Sequence, residues 1–285
     1  MSDTGSILAV EQGPRRRWPL AAILGLAVIA FWLAMAVIGP YIAPYSAGKV
    51  ADPLEFGPLS LKFPLGTDYL GRDMLSRVLF GARYTIGLAL AATLLACAAG
   101  ALLGLLAAAV GGWLDAILSR ALDALISIPS LLFGLVAVAV LGSSITTLIG
   151  AAAIIYTPGA YRIARALAVN VNALDFVTVA RARGERTCYL MLEEILPNIT
   201  APILTDFGLR FVFVILLLSR MSFLGLGIQP PHADWGSLVR ENISGLAFGA
   251  PAVVVPALAI ASLTIGVNLI IDNLQLRRPS AMEGH

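Results

Sequence analysis

Charge is what this chain has least of. Asp, Glu, Lys and Arg make up 13% of 285 residues, hydrophobic residues make up 59%, and mean hydropathy is +0.88. A soluble chain of this length could bury a good core but would still need a charged surface. The shortage therefore excludes an ordinary water-soluble domain and turns most of the outer surface toward lipid. Histidine is scarce too. His232 and His285 have no second His, Cys or carboxylate cluster at metal-ligand spacing, so no metal site is expected. Cys97 lies in an apolar run and Cys188 in a polar one, too far apart for a disulfide. The net charge of +2, without a Lys/Arg cluster interleaved with aromatics, argues against nucleic acid. No G-x-x-x-x-G-K-[ST] stretch occurs, so the chain is not an ATPase by that route. Ser127 and Ser130 have no histidine nearby in sequence, which leaves a membrane enzyme without a nucleophile and base.

Long apolar runs are what the chain has instead. A hydrocarbon core about 30 Å thick needs about 20 helical residues. Candidate spans run from Leu20 to Ile38, Tyr84 to Val110, Leu122 to Leu141, Thr147 to Tyr161 (extendable to Val169), Ile199 to Leu226 and Phe248 to Ile271. The first follows Arg15-Arg16-Arg17-Trp18-Pro19; it exceeds a signal h-region of about 7–15 residues and precedes no clear A-x-A site, so it reads as an uncleaved span. Six spans put both ends on one side. That side holds Arg15–Arg17, Arg120, Arg162, Arg165, Arg181, Arg183, Arg186, Arg277 and Arg278. On the other, Lys49, Lys62, Arg72, Arg77, Arg83 and Arg240 are interspersed with Asp52, Glu55, Asp68, Asp73, Asp234 and Glu241. The positive-inside rule then makes both termini cytoplasmic. The expected fold is an all-α integral membrane protein with a cytoplasmic tail at 1–17, a first span and external loop at 18–83, a transmembrane core at 84–275 and a second tail at 276–285. Trp18, Trp113 and Trp235 sit near span ends, as interfacial anchors do.

The segment FVTVARARGERTCYLMLEEILPN, Phe176 to Asn198, is a long polar interval between spans. Phe176, Val179, Ala180 and Arg183 recur at helical spacing. Gly184 permits a turn, a second short helix is expected from Arg186 to Ile195, and Pro197 suits the first turn of the next span. Such a platform either lies on anionic headgroups or is gripped by a cytoplasmic partner. Its spacing resembles the coupling ("EAA") loop of ABC importer permeases: Glu-Ala-Ala, three residues, Gly, nine residues, Ile, one residue, Leu-Pro. Thr178-Val179-Ala180 stands for the first triplet, Ile195 falls one place late, and Glu193 and Glu194 depart from the expected basic or neutral residues. Three further stretches are similar to signatures of the dipeptide/oligopeptide/nickel permease subfamily: LGTDYLGRDMLSR at Leu65–Arg77, DALISIPSLL at Asp123–Leu132 and SFLGLGIQPPHADWG at Ser222–Gly236. Their order matches that of the second of the two unlike permeases in such systems.

The resemblance implies a multi-pass subunit of the bacterial cytoplasmic membrane that imports di- or oligopeptides, or alternatively nickel chelates. Its implied partners are a homologous permease, two ATP-binding subunits that carry the ATP and Mg, an extracytoplasmic solute-binding protein and lipid. The chain itself would bind no cofactor. Phe176, Val177, Thr178, Val179, Ala180, Arg181, Arg183, Gly184, Leu196 and Pro197 would form the coupling element (about 174–197). Gly66, Asp68, Gly71, Arg72, Asp73 and Trp235 would either meet the binding protein or hold the external loop shut. In the fifth span, Asp206, Arg210 and Arg220 are the candidate residues of the translocation path; Asp206 and Arg210 are four residues apart and can pair, whereas Arg220 has no carboxylate at that spacing. Arg220 either faces the translocation path and an anionic ligand group, pairs with the partner permease, or snorkels. Gly87, Gly100 and Gly104 make the second span small-faced, for a subunit interface or the inner bundle. Ser127-Ile128-Pro129-Ser130 should kink the third. The competing class is an ATP-independent secondary transporter, which would show inverted repeats; Asp206 and Arg210 are the residues that favour it.

Overall fold

The computed structural model describes residues 19–276. Arg15–Arg17, Trp18, Arg277, Arg278, His285 and all but the first residue of the expected tail at 276–285 lie outside the described residues. Among these the structure is helical, with two isolated antiparallel bridges, Val50–Arg72 and Thr67–Asp73. Four helices are long and apolar enough to cross a membrane, and two bent helix pairs raise that number to six if each counts as one span.

Helix α1 (Leu20–Ile42) is apolar on every side and largely exposed within the chain. Helix α2 (Met74–Val110) begins at Asp73, whose carboxylate accepts the Ser76 N–H at 2.9 Å and hydroxyl at 2.6 Å. This cap satisfies donors that the first helical turn leaves open. The helix therefore starts well before the expected Tyr84, and a division at 83/84 falls inside it. Arg77 made that first stretch look like the end of a span, but it is buried and paired. Helices α3 (Gly112–Ile126) and α4 (Ser130–Leu141) meet at 85°. Pro129 disfavours helical backbone at Ile128, so the expected kink is a complete break. Helix α5 (Ile145–Asn172) starts from the Ser144 cap and turns by 75° into α6 (Asp175–Ala182).

The second short platform helix expected at Arg186–Ile195 is not separate from the next span. Helix α7 (Thr187–Tyr189), a π-helical turn (Leu190–Ile195) and α8 (Leu196–Phe223) form one run, Thr187–Phe223. Pro197 has no N–H to give, and the wider turn passes it: Leu196 N–H reaches back to Met191 O, and Asn198 Nδ2 donates to Glu194 O at 2.7 Å. Three elements complete the fold: α9 (Trp235–Glu241), a 3₁₀ helix (Ile243–Phe248) and α10 (Val254–Leu276).

Helices α2 and α5 form the centre. A Cβ on Gly100 would sit 2.5 Å from Ala160 Cβ and 2.7 Å from Tyr161 N, and one on Gly104 would sit 2.7 Å from Arg165 N. The two backbones touch because these residues have no side chains. Of the three glycines, Gly87 alone faces open space, with nothing within 4 Å. Helix α1 packs outside the core by the same device: a Cβ on Gly25 would lie 2.7 Å from Gly266 O on α10. Trp32 Nε1 donates to Ser262 Oγ at 2.9 Å, which fixes the rotation of α1. Cys97 is buried and Cys188 exposed, both as free thiols.

Gly100→Leu is expected to destabilise the fold by about 1–3 kcal/mol or more through overpacking. Gly87→Leu should be neutral or stabilising by up to about 1 kcal/mol, since glycine is a poor helix former. Heating the detergent-purified variants and following the monodisperse fraction checks the contrast.

Candidate functional site

Two assemblies sit at opposite ends of α2. At its C-terminal end lies the platform. Helix α6 ends in a Schellman turn: Gly184, at φ +85°, donates to Arg181 O, and Glu185 N–H reaches Ala180 O. One face of α6 is inward, where Val177 and Ala180 pack with Leu190 and Val171. The opposite face carries Phe176, 41% exposed, Val179, 55% exposed, and Arg183. Thr178, Arg181, Gly184 and Pro197 are also exposed, while Leu196 packs against the Leu105–Ile199 cluster. The coupling residues read from sequence thus divide into a buried minority, Val177 and Ala180 with part-buried Leu196, and an exposed majority. Arg181 bonds within the chain: its Nη2 lies 2.9 Å from Asn172 Oδ1 and 3.4 Å from Ala109 O. Asn172 Nδ2 in turn donates to Ala108 O at 3.0 Å.

At the N-terminal end of α2, the loop of residues 43–73 is closed by a charge cluster. Asp68, fully buried, accepts from Arg72 Nε at 2.6 Å and Arg77 Nη1 at 2.7 Å. Glu241 at the end of α9 accepts from Arg72 Nη2 at 3.0 Å and Arg77 Nη1 at 2.8 Å. Asp68 also takes the backbone N–H groups of Leu70 and Arg72, each at 2.9 Å. Two cations and two anions balance, which is what burial of charge requires. Burial alone would lower the Arg72 guanidinium's pKa, but Asp68 and Glu241 more than offset that and hold it above its ordinary value. Gly71 has φ +71°, and a Cβ there would fall 1.9 Å from Asp52 O, so only glycine fits.

Of the two readings of the external residues, the ion pairs favour the one in which they hold the loop shut. Asp68, Arg72 and Asp73 turn inward, and in this conformation their side chains hold the loop shut. Trp235 is not an interfacial anchor. It is fully buried over Gly81, donates from Nε1 to Val78 O at 3.0 Å and meets the Trp32 ring edge-on at 4.6 Å. Trp113 is 74% exposed. Sequence reasoning missed Glu241, Asn172 and Asp234. Asp234 caps α9 through Ser237 N–H and accepts the Ser222 hydroxyl at 2.6 Å. Burial pushes its carboxyl above the ordinary range, against those hydrogen bonds.

In α8, Asp206 and Arg210 close on each other, with Arg210 Nε 2.5 Å from Asp206 Oδ2 and Arg210 Nη1 3.2 Å from Tyr156 O. The pairing expected from their spacing is therefore present as an internal ion pair. Arg220 differs. It is exposed, forms no ion pair among the described residues, and lines an apolar groove of about 620 Å³ with Leu216, Phe223, Val239, Ile260 and Ala261.

Residues 100–278 match the profile of the binding-protein-dependent transport system inner membrane component family. The chain is 32% identical to the dipeptide transport system permease protein DppC of Haemophilus influenzae, over 96% of this chain and 97% of that protein. It is 33% identical to the di/tripeptide transport system permease protein DppC of Pseudomonas aeruginosa (90% and 86%). It is 36% identical to the glutathione transport system permease protein GsiD of Escherichia coli (91% and 86%).

The chain belongs to the binding-protein-dependent transport permease family.

It is an inner-membrane permease of the ABC importer type, and the helical bundle is its membrane part. In this permease the family match begins at Gly100, inside α2, so Asp68, Arg72 and Arg77 of the charge cluster lie outside the matched stretch. The cluster is nevertheless part of the same packed body, since Glu241 comes from within it. Asp68→Asn is expected to cost about 3–5 kcal/mol by leaving buried guanidinium charge uncompensated. Limited proteolysis of residues 43–73 in the purified permease should show the loop released; a loop as resistant as in the unaltered chain would contradict this.

Proposed function

We propose that this permease forms half of the translocation path of an ABC importer for di- or oligopeptides. It crosses the inner membrane six times, with both termini and α6 in the cytoplasm and the 43–73 loop outside. The other half of the path is a homologous permease. Two ATP-binding subunits carry ATP and Mg, a solute-binding protein delivers the ligand, and this chain binds no cofactor itself.

The observation that carries the coupling role is the presented stripe of α6. Phe176, Val179 and Arg183 recur at helical spacing and stay exposed while Val177 and Ala180 are buried, on a helix turned 75° away from α5. An apolar stripe with one cation, held out from a bundle on a short helix, fits a groove in a cytoplasmic protein. When the ATP-binding subunits close, a docked α6 moves with them and the spans rock between inward and outward access. The peptide assignment rests on the relatives, which are named for dipeptide, di/tripeptide and glutathione transport. Arg220 is consistent with it: an unpaired guanidinium on an apolar groove suits a ligand with a carboxylate at one end and an apolar body.

Replacing Phe176 and Val179 together by Ala should cut co-purification of the ATP-binding subunits by about tenfold, as loss of central apolar anchors does. The second permease should stay bound. Arg220→Gln should lower uptake of peptides with a free carboxylate while sparing amidated ones. Equal uptake of both would end the path assignment of Arg220.

A further inference from the structure

We infer that Arg181 and Asn172 form a bracket that ties α6 to the end of α2, so that displacement of α6 is passed along α2 to the charge cluster at its far end. The inference rests on the coupling reading of α6 and adds a transmission route to it.

Four C-terminal carbonyls of any helix lack partners inside the helix. In α2, Gly111 N–H serves Ala107 O; Asn172 Nδ2 serves Ala108 O at 3.0 Å and Arg181 Nη2 approaches Ala109 O at 3.4 Å. Asn172 Oδ1 accepts the same Arg181 nitrogen at 2.9 Å, so the two side chains lock to each other as well as to α2. A guanidinium at a helix C-terminus is further favoured by the helix dipole. At about 100° per residue, Arg181 lies on the far side of α6 from Phe176, Val179 and Arg183. It is therefore a positioning residue, turned to the bundle rather than to a docked subunit.

What α2 does with a push follows from its length and its other end. Its 37 residues run unbroken, about 55 Å at about 1.5 Å per residue. The first turns carry Arg77, which is held by Asp68 and Glu241. Glu241 terminates α9, so movement of α2 along its axis acts on the closed loop and on α9 together. The Gly100 and Gly104 contacts make α5 move with it. The covalent route through α5 and α8 alone would reach neither end of α2 directly.

The test uses the whole transporter, with both permeases and the ATP-binding subunits, in lipid nanodiscs. Hydrogen exchange is followed with and without a non-hydrolysable ATP analogue. In the unaltered complex, nucleotide should change protection both in α6 and at residues 66–77. In Asn172→Ala and in Arg181→Ala the ATP-binding subunits should remain bound and α6 should still respond. The response at 66–77 should fall by about tenfold, a typical coupling loss for one link, and Arg181→Lys should restore part of it. The double variant should be no worse than either single one. An undiminished response at 66–77 in both variants would overturn the bracket. So would loss of the ATP-binding subunits in Arg181→Ala with their retention in Asn172→Ala, which would make Arg181 a docking contact. An unaltered permease that retains no ATP-binding subunits would sink the coupling reading itself.

Discussion

The backbone contact between α2 and α5 is the constraint on which the rest depends. In lipid, apolar side chains gain little by leaving one apolar surrounding for another, so helices associate through close packing and polar links. Gly100 and Gly104 bring the two backbones close enough that a Cβ at either would fall 2.7 Å from a backbone nitrogen of α5. Once α5 lies in that groove, α3 is held where Arg165 pairs with Asp115 and the Ser119 hydroxyl meets Tyr161 Oη at 2.8 Å. Helix α8 then closes on both through Arg210, whose guanidinium fits over Gly159. A side chain at Gly159 would displace that charge.

Much of the buried polar chemistry is paired within the chain, although Arg77 Nε and Nη2 and Ser219 Oγ are buried without a partner among the described residues. Arg210 has Asp206 and a carbonyl; Trp235 and Trp32 each spend their one N–H on a named acceptor. The irregular loop of 43–73 closes its backbone on itself, for example Phe56 N–H to Asp68 O and Thr67 N–H to Gly57 O. It then docks through Tyr69 N–H to Asn242 Oδ1 at 3.1 Å. Irregular backbone next to a bilayer persists only when it is paired in this way. Arg220 faces an apolar groove and forms no ion pair among the described residues.

The long apolar helices were legible because lipid imposes a length and a composition on a span, and the break at Pro129 because proline acts on its immediate neighbour. What stayed hidden depends on partners remote in sequence. Arg77 read as a span-ending charge because its partner Glu241 lies 164 residues away. Trp235 read as an anchor because nothing local announces that Gly81 leaves room above Val78 O. The platform was legible as a helix with an apolar and a charged edge, and Gly184 as its turn. The inward bonding of Arg181 was not, since the acceptors on α2 lie 72 residues earlier. The π-helical turn before Pro197 was equally hidden, because it answers a backbone problem that α, 3₁₀ or broken helix could also have solved.

The charge cluster has a consequence for the order in which the chain is made. Asp68, Arg72 and Arg77 are synthesised well before Glu241. At about 5–20 residues per second, the interval is about ten to thirty seconds. Throughout it two guanidiniums share one carboxylate, and the loop has neither Asn242 nor α9 to rest on. The loop can close only when the ribosome has delivered the last part of the chain. A product that stops before Glu241 lacks the second carboxylate, so closure of the loop reports that the chain has reached α9.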